Sequence, residues 1–318
     1  MSRRGWLLFA AMGVIWGMPY LLIKVAVGGV SVPVLVCTRV AIGSLLLFPV
    51  AIRNGQLRQL TGYYRWLVAF TLIEIVGPFA LLSDAEKHLP SSTSGLLVAA
   101  VPIFAALLAI ATKSGDRLTP VRWTGLIIGL GGVAVLAGPG AGKGSALPVI
   151  EVLGTALGYS IGPLIANRKL ATLPPAAINA VCLGGAALIY APFAALTWPR
   201  HVPAANVLLA LAGLGVICTA AAFLVFFRLI AEVGPARATV ITYVNPAVAV
   251  ALGVLVLGER LTPAIGVAFV LILGGSVLAT RGSRPAKLAK PSSAPAAEAA
   301  AGAGDRTTVR SDQRGFNA

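Results

Sequence analysis

A chain of 318 residues that is 58% hydrophobic and only 11% charged has too little polar surface to cover a water-soluble globule, where about a quarter charged is usual. A net charge of +15 would suit a nucleic-acid binder, but the basic residues sit at the edges of apolar runs and in the tail rather than in one groove-lining patch, so nucleic acid is not expected as a partner. The three cysteines, Cys37, Cys182 and Cys218, all fall inside apolar runs and read as small core residues, not as a disulfide framework.

Ten runs approach the ~20 residues needed to span hydrocarbon. They cover residues 6–27, 32–52, 66–83, 92–112, 123–137, 148–166, 177–197, 206–227, 236–257 and 264–280. In lipid every backbone polar group must be satisfied within its segment, which selects helices. The expected fold is an all-α polytopic membrane protein with ten transmembrane helices.

The first run follows a charged start, MSRRGW, as in a signal peptide, but it is too long for one and is expected to stay as an uncleaved span. Trp16, Tyr20 and Lys24 are spaced by four and share one helix face, which forms either a packing stripe or a cavity wall. Gly13 and Gly17 occupy the neighbouring face and allow close helix approach. Lys24 lies three residues from the outer end, where it either lines the cavity or snorkels to the interface. Arg39 is seven residues into the second span, roughly 10 Å from its outer edge, and Glu74 nine into the third, roughly 14 Å deep.

These three are the charged residues expected well inside spans, and a charge at the helix centre costs about 2.5–3.5 kcal/mol. In the functional reading, Glu74 neutralises Arg39 or Lys24, binds a substrate amine, or carries a coupling proton. Arg39 and Lys24 meet a carboxylate or phosphate. In the structural reading, Arg39 is only a partner for Glu74 or for backbone carbonyls.

Pro102 falls in the middle of the fourth span, and the hexapeptide GDRLTP follows at residues 115–120. After the fifth span, residues 138–145 read GPGAGKGS, but position 137 is Ala and position 144 Gly, so the phosphate-loop pattern fails and a flexible linker is expected. The sixth span carries Tyr159, Pro163 and a glycine at every fourth position, Gly154, Gly158 and Gly162. That stripe is a packing groove, either within the monomer or at a homodimer seam. The ninth span holds Tyr243 and Asn245, weaker cavity candidates, and Asn245 precedes Pro246 and either lines the site or answers the backbone the proline frees. His88 and His201 have no second ligand at metal spacing, so neither a metal nor a cofactor is expected. The tail, 281–318, is rich in Ala, Pro, Ser and Gly and is expected to be disordered, with a basic start that touches anionic lipid.

GERLTP at residues 258–263 repeats GDRLTP 143 residues later. Pro102 and Pro246 are 144 apart, as are Pro19 and Pro163, and Lys24 and Arg168. The chain therefore reads as two five-helix units, residues 1–140 and 148–280, joined by the linker 141–147. Five is odd, so the second unit enters the membrane from the opposite face. In the hexapeptide, Gly ends one helix, Thr caps the next and Pro takes its first position. Its charged residues are expected to be solvated. Matching prolines in the two halves (Pro19 with Pro163, Pro102 with Pro246) are helix breaks that shape a midplane site or its gates. In the second half Ser160, Leu164 and Arg168 replace Trp16, Tyr20 and Lys24, so the site is expected to be asymmetric. With the N-terminus inside, sixteen Lys and Arg flank the inner ends and four the outer loops, which puts both termini in the cytoplasm of a plasma-membrane protein.

The pieces VIWGMPYLLIKVA, VCTRVAIGSLLLFP, FFRLIAEVGPARATVITYVNPAVAVALGVLVLGERLTP and LILGGSVLA resemble EamA-type members of the drug/metabolite transporter superfamily, across about residues 6–280. The resemblance implies two inverted five-helix repeats and movement of small metabolites, often outward. Asp116 departs from the Glu usual in that loop. The leading expectation is a secondary transporter, not an enzyme, that exports amino acids or related polar solutes by alternating access. An intramembrane lipid enzyme lacks its catalytic cluster, and a non-transporting sensor needs no charged midplane residues.

Overall fold

A computed structural model of the chain describes residues 2–112, 119–137, 146–234 and 238–280. The first hexapeptide's residues 115–118, the glycine-rich 138–145 and the tail from 281 onward lie outside the described residues. Among the described residues, ten helices are long and apolar enough to cross a membrane. They are α1 (Arg3–Val27), α2 (Val32–Arg53), α3 (Tyr64–His88), α4 (Ser91–Ala111), α5 (Pro120–Ala137), α6 (Leu147–Lys169), α7 (Pro175–Leu196), α8 (Ala205–Val233), α9 (Val240–Leu257) and α10 (Pro263–Thr280). Local chemistry starts them. The Ser2 hydroxyl accepts the Gly5 N–H at 2.9 Å, and Ser31 accepts from Val34, satisfying orphan donors of the first turns of α1 and α2.

The pairing of the helices fits two inverted halves. The α5–α10, α2–α7 and α4–α9 pairs each join a helix to its repeat-mate. The α3–α6 and α1–α8 pairs exchange with each other under the same swap. Pro120 and Pro263, the last residues of the two hexapeptides, lie at opposite ends of the α5–α10 pair. Pro263 begins α10, whereas Arg122, just after Pro120, donates to the carbonyl of Ala279 near the far end of α10, at 2.9 Å. Gly258 takes the left-handed conformation (φ 66°) that ends α9, and the Thr262 hydroxyl accepts from the Ile265 N–H, so the second hexapeptide is the tight helix–helix turn its sequence spells.

One of its charges is not solvated as expected. The Glu259 carboxylate folds back to accept from the N–H groups of Ser91 (2.6 Å) and Ser92 (3.0 Å) and from the Ser92 hydroxyl (2.5 Å). It caps the N-terminus of α4, where donors are unsatisfied and the helix dipole favours negative charge.

The helix breaks are sharper than kinks. In α4 a helical piece Ser91–Val98 ends, and a second, Val101–Ala111, begins with Pro102 in its first turn. In α9 a 3-10 turn, Thr239–Tyr243, precedes the helical piece Asn245–Leu257, with Pro246 again in the first turn. Proline thus starts a new segment, where its missing N–H leaves nothing unsatisfied. Pro19 and Pro163 lie within continuous helices. Neighbours answer carbonyls at the α4 break: Ser276 of α10 donates to Ala99 at 3.0 Å, and Ser160 of α6 to Val101 at 2.9 Å. Interhelical bonds of this kind average about 0.6 kcal/mol in a membrane. Ser160→Ala and Ser276→Ala are each expected to lower stability by about 0.5–1.5 kcal/mol. A thermal-unfolding series in detergent, with the double variant near the sum, checks this.

A second pair of irregularities was not legible in advance. α3 is π-helical over Thr71–Val76 and α8 over Gly213–Ala221, at matching positions of the two halves. Such segments insert an extra residue into the helix, re-aim its side chains and often mark functional sites.

Candidate functional site

The π-helical segment of α3 carries Glu74. It packs on α6, whose Gly154, Gly158 and Gly162 face Leu81, the Ile73 carbonyl with Pro78, and Glu74 in turn. The glycine stripe therefore serves packing inside the monomer. A Cβ on Gly162 would overlap Glu74 Oε2, so only glycine leaves room for the carboxylate here. That Oε2 is shut off from its surroundings and has no hydrogen-bond partner.

Arg39 of α2 is 6% exposed. Its Nε donates to the Thr219 hydroxyl at 3.2 Å, from the π-helical segment of α8, and its guanidinium carbon lies 3.9 Å from the centre of the Phe79 ring of α3. A desolvated cation–π contact contributes about 2 kcal/mol and a charged hydrogen bond about 1.5–3 kcal/mol. Together these offset the cost of about 2.5–3.5 kcal/mol for arginine at membrane depth. They do not satisfy the fork, because one terminal nitrogen is buried with no partner.

The expected pairing of Glu74 with Arg39 or Lys24 is not present: among the described residues no ion pair joins them. Lys24 instead donates to the carbonyls of Glu86 (2.6 Å) and Leu89 (2.8 Å) at the end of α3. There a cation meets orphan carbonyls and the negative end of the helix dipole. It neither snorkels nor neutralises Glu74. Lys24→Met is expected to cost about 1–2 kcal/mol by stranding those carbonyls. Thermal unfolding of the purified variant checks this.

Tyr159 of α6 lies within electrostatic reach of both Arg39 and Glu74, and Tyr20 of α1 within reach of Arg39, Tyr159 and Glu86. Tyr159 is thus the neighbour that Arg39 and Glu74 share, and Tyr20 neighbours Arg39 and Tyr159, with the four residues drawn from helices of both halves. The others stand apart. Trp16 packs on Phe226 of α8, ring centres 4.6 Å apart, beside Met12 and Leu229. The Tyr243 hydroxyl bonds Thr280 at 2.7 Å. Asn245 opens the helical piece of α9 with its Oδ1 buried and unpartnered. A separate open cavity of about 480 Å³, lined by Val25, Arg200, His201 and Asn206 among others, lies at the end of α1 and includes none of the charged cluster.

Sequence reasoning missed Glu86. The third apolar run stops at Ser83, yet α3 continues to His88 and buries Glu86 completely. The signal was present: Phe79, Leu82, Ser83 and Glu86 follow one helical face, and Pro90 supplies the stop. Its Oε2 lies 3.4 Å from the Ser91 hydroxyl, beside the Lys24 contacts. Phe79 and Thr219 were also missed, since an aromatic and a hydroxyl inside apolar runs carry no distinguishing pattern.

Ten membrane-length helices, interrupted by matched breaks and π-helical segments around buried, incompletely paired charges, define a polytopic membrane protein of the transporter class. A sequence model of the EamA-like transporter family matches residues 3–138 and again residues 147–281. The chain belongs to the EamA-like transporter family. It is 30% identical over 86% of its length to the uncharacterized inner membrane transporter YedA of Escherichia coli, covering 89% of that protein. It is 27% identical to a probable terminal-alkyne amino-acid exporter of Streptantibioticus cattleyicolor, over 88% of this chain and 96% of the relative. With the aromatic amino acid exporter YddG of Ancylobacter novellus it shares 28% identity, over 62% of this chain and 69% of the relative. A solved crystal structure superposes at a TM-score of 0.63 with 24% identity, over 88% of this chain and 97% of its own, which shows the fold.

Proposed function

We propose that the protein is a secondary exporter of amino acids or closely related polar solutes, working by alternating access. The observation that carries this reading is a region at membrane depth that holds Arg39 and Glu74 with unpartnered polar atoms and is built from helices of both halves. Such a site, placed where two inverted units meet, opens to one face or the other as residues 1–140 rock against 148–280. The Pro102 and Pro246 breaks supply bending points, and Tyr20 and Tyr159 line the site with Arg39 and Glu74. Two relatives named as amino-acid exporters support the substrate class. The charge bias of the loops supports a plasma-membrane protein with both termini in the cytoplasm.

Purified protein in liposomes, preloaded with unlabelled amino acids, is expected to accumulate the labelled compound by counterflow. Absence of counterflow for every amino acid and related solute, in protein that remains monodisperse, removes the reading.

A further inference from the structure

Two inverted halves that rock against each other exchange one closed end for the other. Contacts between the halves at matching places on the two ends therefore set the balance between the states. At the end where α4 starts, such a contact is present. The Glu259 carboxylate, from the second half, accepts from the Ser91 and Ser92 N–H groups and the Ser92 hydroxyl of the first half. It is seated on Gly253, where an added Cβ would fall 2.5 Å from Oε2. The Ser91 hydroxyl donates in turn to the Tyr20 carbonyl of α1 at 3.2 Å, and Lys24 of α1 holds the end of α3 beside it.

Backbone bonds fix which residues match this contact in the other half. The Ser94 N–H donates to the Pro90 carbonyl at 3.0 Å as the chain enters α4, and 144 residues on the Ala238 N–H donates to the Gly234 carbonyl at 3.1 Å as it enters α9. Ser91 and Ser92 therefore correspond to Pro235 and Ala236, and Glu259 to Asp116 of the first hexapeptide. Those three lie outside the described residues, but their covalent chemistry is known. Pro235 has no N–H, Ala236 has no hydroxyl, and Asp116 is one methylene shorter than Glu259. Of the three donors only one remains. The seat is lost as well: Gly253 corresponds to Ala109 counted from Pro102, or to Ile110 counted from the hexapeptide, and each carries a Cβ. The Arg122–Ala279 bond, at the first hexapeptide's end, is a bond within the α5–α10 pair.

We infer that Glu259 is a one-sided latch. It holds shut the end of the bundle that bears the second hexapeptide, and the repeat-mates of its partners cannot build an equal latch at the other end. The empty protein therefore rests with the Glu259 end closed and the other end free to open. By the charge bias of the loops the latched end faces outward, so the resting protein loads from the cytoplasm. This rests on the transporter reading and adds a resting state to it.

The test follows both ends at once. Ser94 and its repeat-mate Ala238 are fully buried near the starts of α4 and α9. Ser94→Cys and Ala238→Cys are made separately in the full-length protein and placed in nanodiscs, which leave both faces in water. A hydrophilic maleimide is added and modification is read site by site by mass spectrometry, apart from the native cysteines. The Ala238→Cys site is expected to react at least about tenfold faster than the Ser94→Cys site. Adding Glu259→Gln is expected to speed the Ser94→Cys site about fivefold and slow the Ala238→Cys site about twofold, as a tenfold shift of a one-to-ten equilibrium does. Supplying the missing groups instead, with Asp116→Glu, Pro235→Ser and Ala236→Ser together, is expected to move both rates in those same directions. This gain does not depend on a weakened fold. In intact cells the reagent is expected to reach the Ser94→Cys site and not the Ala238→Cys site.

Equal rates at the two sites overturn the inference. So does Glu259→Gln that speeds the Ser94→Cys site alone, which is a frayed helix end and not a shift between two states. A triple variant with both rates unchanged overturns it too, and the reverse pattern in cells overturns the outward assignment. With counterflow intact, each of these results removes the latch and leaves the transporter reading standing.

Discussion

Replacing Gly275 with leucine is expected to leave little folded protein, whereas the same change at Gly274 is expected to be nearly silent. A Cβ on Gly275 would meet the nitrogen and Cα of Gly129 and the carbonyl oxygen of Gly125, all backbone atoms of α5 and all at 2.6 Å or closer. Backbone inside a packed helix pair cannot step aside as a flexible side chain can. Overpacking a core costs about 1–3 kcal/mol where side chains give way, and here the cost falls at or above the top of that range. That is a large part of a total stability of about 5–15 kcal/mol. The loss is also mechanical, because α5 and α10 are repeat-mates whose contact joins the two halves. Gly274 has nothing within 4 Å of an added Cβ, so a leucine there meets open space. Size-exclusion profiles and thermal unfolding of the two variants, made side by side, decide the matter. Equal behaviour of the pair removes the argument.

Glu259→Ala is expected to loosen the end of the bundle where α4 begins. The variant loses three accepted hydrogen bonds and a negative charge at a helix N-terminus. A lost cap costs about 1–2 kcal/mol, and a partly buried charge at a helix end contributes up to about 2 kcal/mol more. We expect a total of about 2–3 kcal/mol, or a shift of roughly thirty- to 150-fold in the equilibrium for opening that end. Ser94, fully buried four residues into α4, provides the reporter. In a Ser94→Cys background, Glu259→Ala is expected to raise the rate of modification by a hydrophilic maleimide by at least about tenfold. Alanine at the exposed neighbour Arg260 is expected to leave the rate unchanged. If both variants react alike, Glu259 does not hold α4 closed.

The same contact explains why a glutamate stands in the hexapeptide at all. Sequence spacing identified the turn, and Gly258, Thr262 and Pro263 each have the local role their chemistry dictates. The role of Glu259 depends on Ser91 and Ser92, some 168 residues away in the chain, so no local rule reaches it.

Much of the remainder divides along that line. The ten spans were legible because hydrocarbon thickness imposes a length and a composition on each helix independently of its neighbours. The pairing of prolines at a constant offset was legible because both halves follow one pattern. The end of α3 was misplaced because hydropathy stops at Ser83, while the helix, held by its own backbone bonds, continues to His88 and carries Glu86 into the protein.

The sequence alone determined that this chain crosses a bilayer in ten helices, that two of them break at Pro102 and Pro246 (though not at Pro19 and Pro163, which stay within continuous helices), and that Arg39 and Glu74 are buried charges in need of partners. Tertiary structure alone decided which atoms surround them. It set Lys24 on the carbonyls of α3 rather than on Glu74, placed Arg39 over Phe79, and used the glycine stripe of α6 to seat Glu74 within the monomer. The physical reason is that hydropathy and helical period act along one segment at a time. The satisfaction of a buried charge is settled between segments, by whichever atoms the packing brings near.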